Sequence, residues 1–130
     1  MSDVVKRALV AGHADFAAGL ISAVDMITGR GGDLAPIQVT GMCGADIERL
    51  LRQTLESTGA RVIFTDLQAG SCTMAARRVQ HAMPGVILVA GANLPMLLDF
   101  VLSRDPDPLG AATAAAEKGR TSVSVHGGTP

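Results

Sequence analysis

Two ionisable side chains stand directly after short apolar runs of this sequence. His13 follows "ALVAG", and Asp66 follows "VIFT". A carboxylate that accepts a hydrogen bond from one ring N–H fixes the tautomer of a histidine and leaves the other nitrogen with a free lone pair. Such a nitrogen can accept a phosphoryl group and pass it on. We therefore predict a catalytic pair of His13 and Asp66. Position alone also allows a loop histidine without a chemical role.

The segment "AGSC" follows Asp66 in a polar turn and places Gly70, Ser71 and Cys72 at the start of a predicted helix. Gly and Ser are typical of a turn and a helix N-cap, and the N–H groups of a helix start bind anions. We predict that these three residues bind a phosphoryl group carried by His13. Cys72 would also complete a Cys–His–Asp triad, but no oxyanion site is signalled and a small, half-buried hydrophobic residue is favoured.

Composition excludes several classes of function. Hydrophobic residues make up 48% of the 130-residue chain and aromatic residues 2%, which favours an aliphatic core around a parallel sheet. The net charge is −1 and the basic residues are scattered, which argues against nucleic-acid binding. No apolar run approaches the ~20 residues of a membrane span, and "MSDVVKRALV" lacks a secretory signal pattern. We expect a cytoplasmic protein without membrane insertion. Cys43 and Cys72 have no metal-ligand spacing, and we expect neither metal nor cofactor.

The whole chain, residues 1–130, is predicted to be one domain in which strands and helices alternate. Strands are predicted over 6–11, 35–41, 60–66 and 85–91, helices over 15–28, 45–57, 73–81, 92–104 and 111–119, a C-terminal strand over 120–127, and a frayed tail over 126–130. This alternation indicates an α/β fold with an open, doubly wound, mainly parallel sheet and helices on both faces.

That fold class predicts where a site should lie. Ligands of open α/β sheets bind at the carboxyl ends of the strands, near the switch in strand order. The loops "GHAD", "DLQAGSC" and "GANLP" all follow predicted strands at this edge. If strands one and three flank the switch, the side chains of His13 and Asp66 can meet.

Three segments carry a resemblance to a known family: "LVAGHADFAAGLISAVDMITG", "VIFTDLQAGSCTMAARR" and "GANLPMLLDFVLSRD". They resemble the IIA components of the mannose/fructose/sorbose family of the bacterial sugar phosphotransferase system. The shared pattern is a His after strand one, an Asp-x-x-x-Gly-Ser loop after strand three and a Gly-x-Asn-x-Pro-x-Leu element after strand four. It extends from Ala8 to about Val125.

The resemblance implies a phosphoryl carrier. The histidine matching His13 takes phosphate from the histidine-containing phosphocarrier protein and gives it to a IIB domain, which works with IIC and IID membrane subunits in coupled sugar uptake and phosphorylation. The aspartate matching Asp66 orients the histidine, and the loop matching Gly70–Ser71 lies against the phosphoryl group. Family members form homodimers that exchange a C-terminal strand, a role that "TSVSV" fits because an unpaired strand edge needs a partner.

Four residues depart from the family pattern. Ala14 and Ala69 stand where Gly is usual, Cys72 replaces a frequent Pro, and Met74 replaces a frequent Asn. A methyl group at either alanine restricts the approach of the backbone to a phosphoryl group. His13 and Asp66 are retained, so we expect phosphotransfer to persist.

Other functions stay open at this point. A regulatory phosphohistidine module uses the same chemistry without a transporter. A receiver-type signalling domain would be phosphorylated on Asp66, but the acidic cluster and lysine that it needs are missing. A flavodoxin-like binder lacks Trp and Tyr to hold a flavin. Arg77 and Arg78 are either a solvated face or a docking surface, and we assign no role to His81 or His126.

Overall fold

The sheet of this protein has four short parallel strands. The computed structural model describes residues 4–130, so the first three residues of the N-terminal stretch considered above lie outside the described residues. The strands are β1 (Ala8–Ala11), β2 (Leu34–Ile37), β3 (Val62–Thr65) and β4 (Ile87–Ala90). Their order is β2-β1-β3-β4, and every neighbouring pair is parallel. Pro36 is compatible with β2 because an edge strand can dispense with one backbone donor.

Five α-helices connect and follow the strands: α1 (Phe16–Thr28), α2 (Gly44–Thr58), α3 (Ser71–Ala82), α4 (Leu94–Leu102) and α5 (Pro108–Thr121). Gly29 and Gly59 end α1 and α2 with φ of 74° and 76°, the left-handed conformation that glycine adopts without strain. Asn93 begins α4, because its side chain accepts the N–H of Met96 at 3.1 Å. Within residues 4–130, no helix is both long enough and apolar enough to cross a bilayer.

The helices cover both faces of the sheet, as expected of a doubly wound fold. Alternate strand residues point to opposite sides. Val10 and Phe64 are buried in a core with α1, α4 and α5, whereas Leu9 and Ile63 are buried with α2 and α3. The predicted α/β architecture is therefore confirmed.

The predicted C-terminal strand is not formed in this chain. Arg120 and Thr121 instead complete α5, and the described residues from 123 onward form no helix or strand. The alanine-rich run before them favours helix strongly enough to extend it by two residues. The alternating segment after it pairs with neither edge of the sheet in its own chain, and Val123 and Val125 are 74% and 92% exposed.

Candidate functional site

Strand order brings the two predicted reactive residues together. The chain leaves β1 for β2 on one side and then returns to place β3 on the other side of β1. The switch in strand order therefore lies between β1 and β3, where Ala11 pairs with Thr65. The next residues on both strands emerge at the same edge, which puts His13 beside Asp66 as the sequence predicts.

One carboxylate oxygen of Asp66 holds His13 at two points. The Nδ1 atom of His13 lies 2.7 Å from Oδ2 of Asp66, and the backbone N–H of His13 donates to the same oxygen at 2.9 Å. The Asp66 side chain is 12% exposed, whereas the His13 side chain is 59% exposed. The carboxylate is thus enclosed while the ring that it holds faces outward.

The charge of Asp66 decides the tautomer of His13. Burial of the carboxyl group acts to raise the pKa of Asp66, but the two hydrogen bonds from His13 and its charge outweigh burial, so the pKa lies below its usual value. An ionised carboxylate only accepts hydrogen bonds, so Nδ1 of His13 carries the proton. No hydrogen bond within residues 4–130 uses Nε2 of His13. In the neutral form of the ring, this atom therefore carries the free lone pair.

A glycine makes the contact between the two strand ends possible. A Cβ on Gly12 would stand 2.5 Å from Cδ2 of Phe16 and 3.0 Å from Cγ of Asp66. No side chain larger than hydrogen fits there without moving the ring or the carboxylate. In the sequence, Gly12 marks only the end of the first predicted strand. Its position immediately before His13 was the one signal that the site needs a glycine there.

The start of α3 lies beside the His13 ring. Gly70 is the N-cap, and a Cβ on it would stand 3.7 Å from Cε1 of His13. Met74 donates the first backbone hydrogen bond of the helix, to the carbonyl of Gly70 at 2.9 Å. In the described part of the chain, the N–H groups of Ser71 and Cys72 have no acceptor. An anion near the ring would meet unsatisfied donors and the positive end of the helix dipole.

The Cys72 side chain lies in the core and not in the site. Its residue is 1% exposed and packs with the α2 and α3 side of the sheet, more deeply than the half-buried position expected. Burial, and to a smaller extent the charge of Asp66, raise the pKa of the Cys72 thiol. A protonated, enclosed thiol is a poor nucleophile, so the geometry gives no support to a Cys–His–Asp triad. Any contact of Cys72 with phosphate would use its backbone N–H.

Two buried threonines hold the loop that follows β3, and sequence analysis missed both. The Thr73 hydroxyl donates to the carbonyl of Leu67, and the Thr65 hydroxyl, 2.7 Å away, donates to the oxygen of Thr73. The carbonyl of Thr65 accepts the N–H groups of Gly91 and Ala92 at 2.9 and 2.8 Å. The loop carrying Asp66 is therefore tied to α3 and to the end of β4. The only sequence signal was a hydroxyl at each end of the turn.

The remaining polar residues that the sequence singled out serve the scaffold or the surface. Arg78 joins α3 to α2 through a 2.9 Å contact with Glu48, whereas Arg77 is exposed. Asn93 caps α4 and donates its amide to the carbonyl of Gly119 in α5 at 3.0 Å. The predicted helix start at "NLP" is confirmed.

The fold and this geometry define a class of protein: an α/β protein with a histidine–aspartate pair at its topological switch point. The model of the family EIIA-man, described as the PTS system fructose IIA component, matches residues 7–117. The chain belongs to this family of IIA components of the sugar phosphotransferase system. The family has phosphotransferase activity and works with a phosphocarrier and IIB partners. No curated protein matches the chain.

Solved structures agree on the fold. The mannose/sorbose specific IIA subunit of the phosphotransferase system from Enterococcus faecalis has a TM-score of 0.82 and 20% identity, over 97% of this chain and 98% of that one. The phosphotransferase system component EIIA from Streptococcus agalactiae has a TM-score of 0.75 and 20% identity, over 88% and 95%. A PTS IIA protein associated with the fucose utilization operon of Streptococcus pneumoniae has a TM-score of 0.69 and 21% identity, over 90% and 93%.

Proposed function

We propose that this chain is a cytoplasmic phosphoryl carrier that acts as a single domain. His13 accepts phosphate from the histidine-containing phosphocarrier protein and passes it to a IIB domain, which feeds IIC and IID membrane subunits. The main support is the 2.7 Å contact between Nδ1 of His13 and Asp66, combined with the outward exposure of the ring. Asp66 fixes the proton on Nδ1, so Nε2 is the nucleophile.

The transfer is an in-line displacement between two imidazoles. The Nε2 lone pair of His13 forms a new N–P bond, the N–P bond of the donor phosphohistidine breaks, and the donor nitrogen keeps that electron pair. The ring of His13 still holds its Nδ1 proton and gains positive character, which the carboxylate of Asp66 balances. Passing phosphate to a IIB domain repeats these steps with His13 as the leaving group. Positioning and electrostatics supply the catalysis.

The start of α3 receives the phosphoryl oxygens in this proposal. The N–H groups of Ser71 and Cys72 and the Ser71 hydroxyl supply donors next to the ring, and Gly70 leaves room for the approach. These donors also favour the charge that develops during transfer, since fixed dipoles need no reorganisation.

A labelling experiment tests the proposal. Incubation with the phosphocarrier protein, its kinase and labelled phosphoenolpyruvate should place one phosphoryl group on the chain, and His13→Ala should abolish labelling. His81→Ala and His126→Ala are matched controls, because they remove the other two imidazoles of the sequence. Label that persists in His13→Ala, or is lost from a control, would contradict the assignment.

Transfer onward separates a transport component from a regulatory module. The labelled chain should lose its phosphate when mixed with a matching IIB protein and keep it without one. Candidate IIB proteins from the same genome, beginning with genes beside this one, form the screen. If none accepts phosphate from a competently labelled chain, the regulatory phosphohistidine function replaces the transport function.

We further propose that two copies form a homodimer by exchanging their C-terminal segments. The edge strand β4 is only half-buried, and a groove of about 470 Å³ runs between it and α5. Val123 and Val125 are exposed and alternate with serine, as in a strand with one apolar face. Seated on β4 of the other copy, this segment would satisfy the edge and bury both valines.

A further inference from the structure

A polar cavity lies at the opposite end of the sheet from His13. It has a volume of about 380 Å³. Arg7 and Arg61, which line it, come immediately before β1 and β3, the two strands that carry His13 and Asp66 at their other ends. Lys6 and the segment Ser103–Pro106 after α4 complete much of the wall. No residue of the His13 site contributes to it.

The cavity has an excess of positive charge. Four basic residues line it, and the one acidic residue in its wall is Asp105. Within residues 4–130, neither Arg61 nor Arg104 forms an ion pair with a carboxylate. The Asp105 carboxylate is engaged by the backbone N–H of Asp107 at 2.9 Å. The chain as a whole has a net charge of −1, so this excess of positive charge belongs to the cavity and not to the whole surface.

Arg7 is the fixed member of the set. Its guanidinium lies 4.5 Å over the ring of Phe100, its Nη1 atom donates to the carbonyl of Val101 at 3.2 Å, and Asp33 stands 4.0 Å away. Arg61 donates one N–H to the carbonyl of Gly85 at 3.1 Å, which leaves the rest of its planar donor set available. The Lys6 ammonium donates one of its three N–H groups to the carbonyl of Gly32 and adds positive charge to the cavity.

We propose that this cavity binds a small organic phosphate. Guanidinium groups pair with phosphate through two parallel hydrogen bonds, a geometry that an ammonium does not offer. The volume exceeds that of a bare phosphate ion and falls in the range of small-molecule sites. Pro106 and Pro108, which also line the cavity, offer apolar ring atoms to a carbon skeleton. A neutral sugar would leave the guanidinium charges unpaired. The proposal goes beyond phosphoryl transfer at His13 and does not depend on it.

Titration of the full-length, unphosphorylated chain tests the site. Glucose 6-phosphate is the probe, with ¹⁵N–¹H NMR to locate binding and calorimetry to measure it. Saturable shifts are expected at Arg61 and at residues 103–105, and the same dissociation constant is expected in His13→Ala. Glucose should cause no shift, and citrate and inorganic phosphate should bind about tenfold more weakly or worse, because they lack either the phosphate ester or the carbon skeleton.

Charge-matched variants decide the outcome. Arg104→Gln and Arg61→Gln should each weaken binding of glucose 6-phosphate about tenfold, since each removes a charge-assisted contact. Arg49→Gln removes the same charge from an exposed position on α2, outside the cavity, and should leave binding unchanged. Equal affinity in the double variant Arg61→Gln/Arg104→Gln and the parent would overturn the proposal, as would shifts confined to the His13 site. Thermal unfolding of each variant checks that it is folded.

Discussion

At the scale of single residues, the His13 site depends on one oxygen atom. Oδ2 of Asp66 accepts both the ring Nδ1–H and the backbone N–H of His13, so the same acceptor sets the tautomer and the position of the ring. The lowered pKa of Asp66 keeps this acceptor ionised. In the proposed function, the enclosed carboxylate orients the ring and the exposed ring accepts the phosphoryl group.

Replacing that carboxylate should slow transfer without removing the nucleophile. In Asp66→Asn the amide oxygen still accepts a hydrogen bond, but it is neutral and cannot balance the positive character of the phosphorylated ring. A hydrogen bond to a charged group contributes about 1.5–3 kcal/mol and one to a neutral group about 0.5–1.5 kcal/mol. The loss of about 1–1.5 kcal/mol should make phosphorylation about five- to tenfold slower by rapid-quench labelling.

The matched control is Asp15→Asn. Asp15 stands two residues from His13 at the N-cap of α1, and its side chain makes no capping hydrogen bond. Removal of this nearby charge should change the labelling rate far less than Asp66→Asn does. Equal rates in the two variants would show that only the local field matters and would refute the orienting role of Asp66.

Ala14 gives a stability prediction at the same scale. Its φ is 49°, in the left-handed region that costs an L-residue about 1–2 kcal/mol. This is one of the positions where the family usually has glycine. Ala14 keeps the left-handed backbone conformation that glycine adopts without strain. Ala14→Gly should therefore raise the free energy of unfolding by about 0.5–1 kcal/mol, after the larger entropy of the unfolded glycine chain is subtracted.

Urea unfolding measures this change, and α1 provides the comparison. Ala18 is exposed inside that helix, so Ala18→Gly should lower the free energy of unfolding by about 0.5–1 kcal/mol. The two alanine-to-glycine changes should thus have opposite signs. If both destabilise the protein, the backbone at Ala14 is not strained.

The sequence was sufficient to predict that His13 and Asp66 lie side by side and that a turn at Gly70 opens a helix, because each residue follows an apolar run or precedes a helical one. The sequence was not sufficient to predict the hydrogen bond between Thr65 and Thr73. A hydroxyl at the end of a strand is common, and only the three-dimensional distance of 2.7 Å reveals the pair. The departure from glycine at Ala14 can be read from the sequence. The free-energy cost of alanine there follows only from its positive φ angle in the structure.

At the scale of elements, the approach of α1 to the β3 loop depends on Gly12. Phe16 begins α1 and its ring lies against the position where a Gly12 side chain would stand. The first residue of α1 and the Asp66 carboxylate therefore both lie close to Gly12, whose side chain is a single hydrogen atom. A methyl group there forces at least one of them to move.

Gly12→Ala should lower the free energy of unfolding by about 1–3 kcal/mol and slow phosphorylation of His13, because the Asp66 carboxyl group must shift. Gly19→Ala is the matched control. Gly19 lies inside α1 with no atom within 4 Å of an added Cβ, so this change should stabilise the helix by about 0.5–1 kcal/mol. Thermal unfolding and labelling measure the two effects. Parent-like stability and labelling in Gly12→Ala would mean that the strand end adjusts freely.

Element types were predictable where periodicity is strong, and boundaries were less so. The strands are shorter than predicted, since β1 begins at Ala8 and β2 ends at Ile37. Val39, Ala60 and Val86 lie beyond the paired residues of their strands and still pack on the core, so these apolar runs are longer than the strands. The prediction of a C-terminal strand over 120–127 was wrong for the single chain. Alternation of apolar and polar residues shows only that a segment can pair with a sheet, not that it does so in its own chain.

At the scale of the whole molecule, three surfaces occupy different parts of the sheet. The His13 site lies at the carboxyl ends of β1 and β3, the basic cavity at their amino ends, and the half-buried strand β4 at the edge. In the proposed function, the phosphocarrier and IIB partners dock at the first surface, whereas the proposed dimer forms through β4 at a different part of the sheet.

The proposed exchange of C-terminal segments leads to a prediction about the oligomeric state. The full chain should elute as a dimer in size-exclusion chromatography with light scattering, and a chain ending at Ser122 should be monomeric at the same concentration, because the strand that would cover β4 is gone. Val125→Asp should also shift the chain towards monomer, since it places a charge on the apolar face. Ser124→Asp adds the same charge on the opposite face and should remain dimeric. A truncated chain that keeps the dimer mass would assign the interface elsewhere.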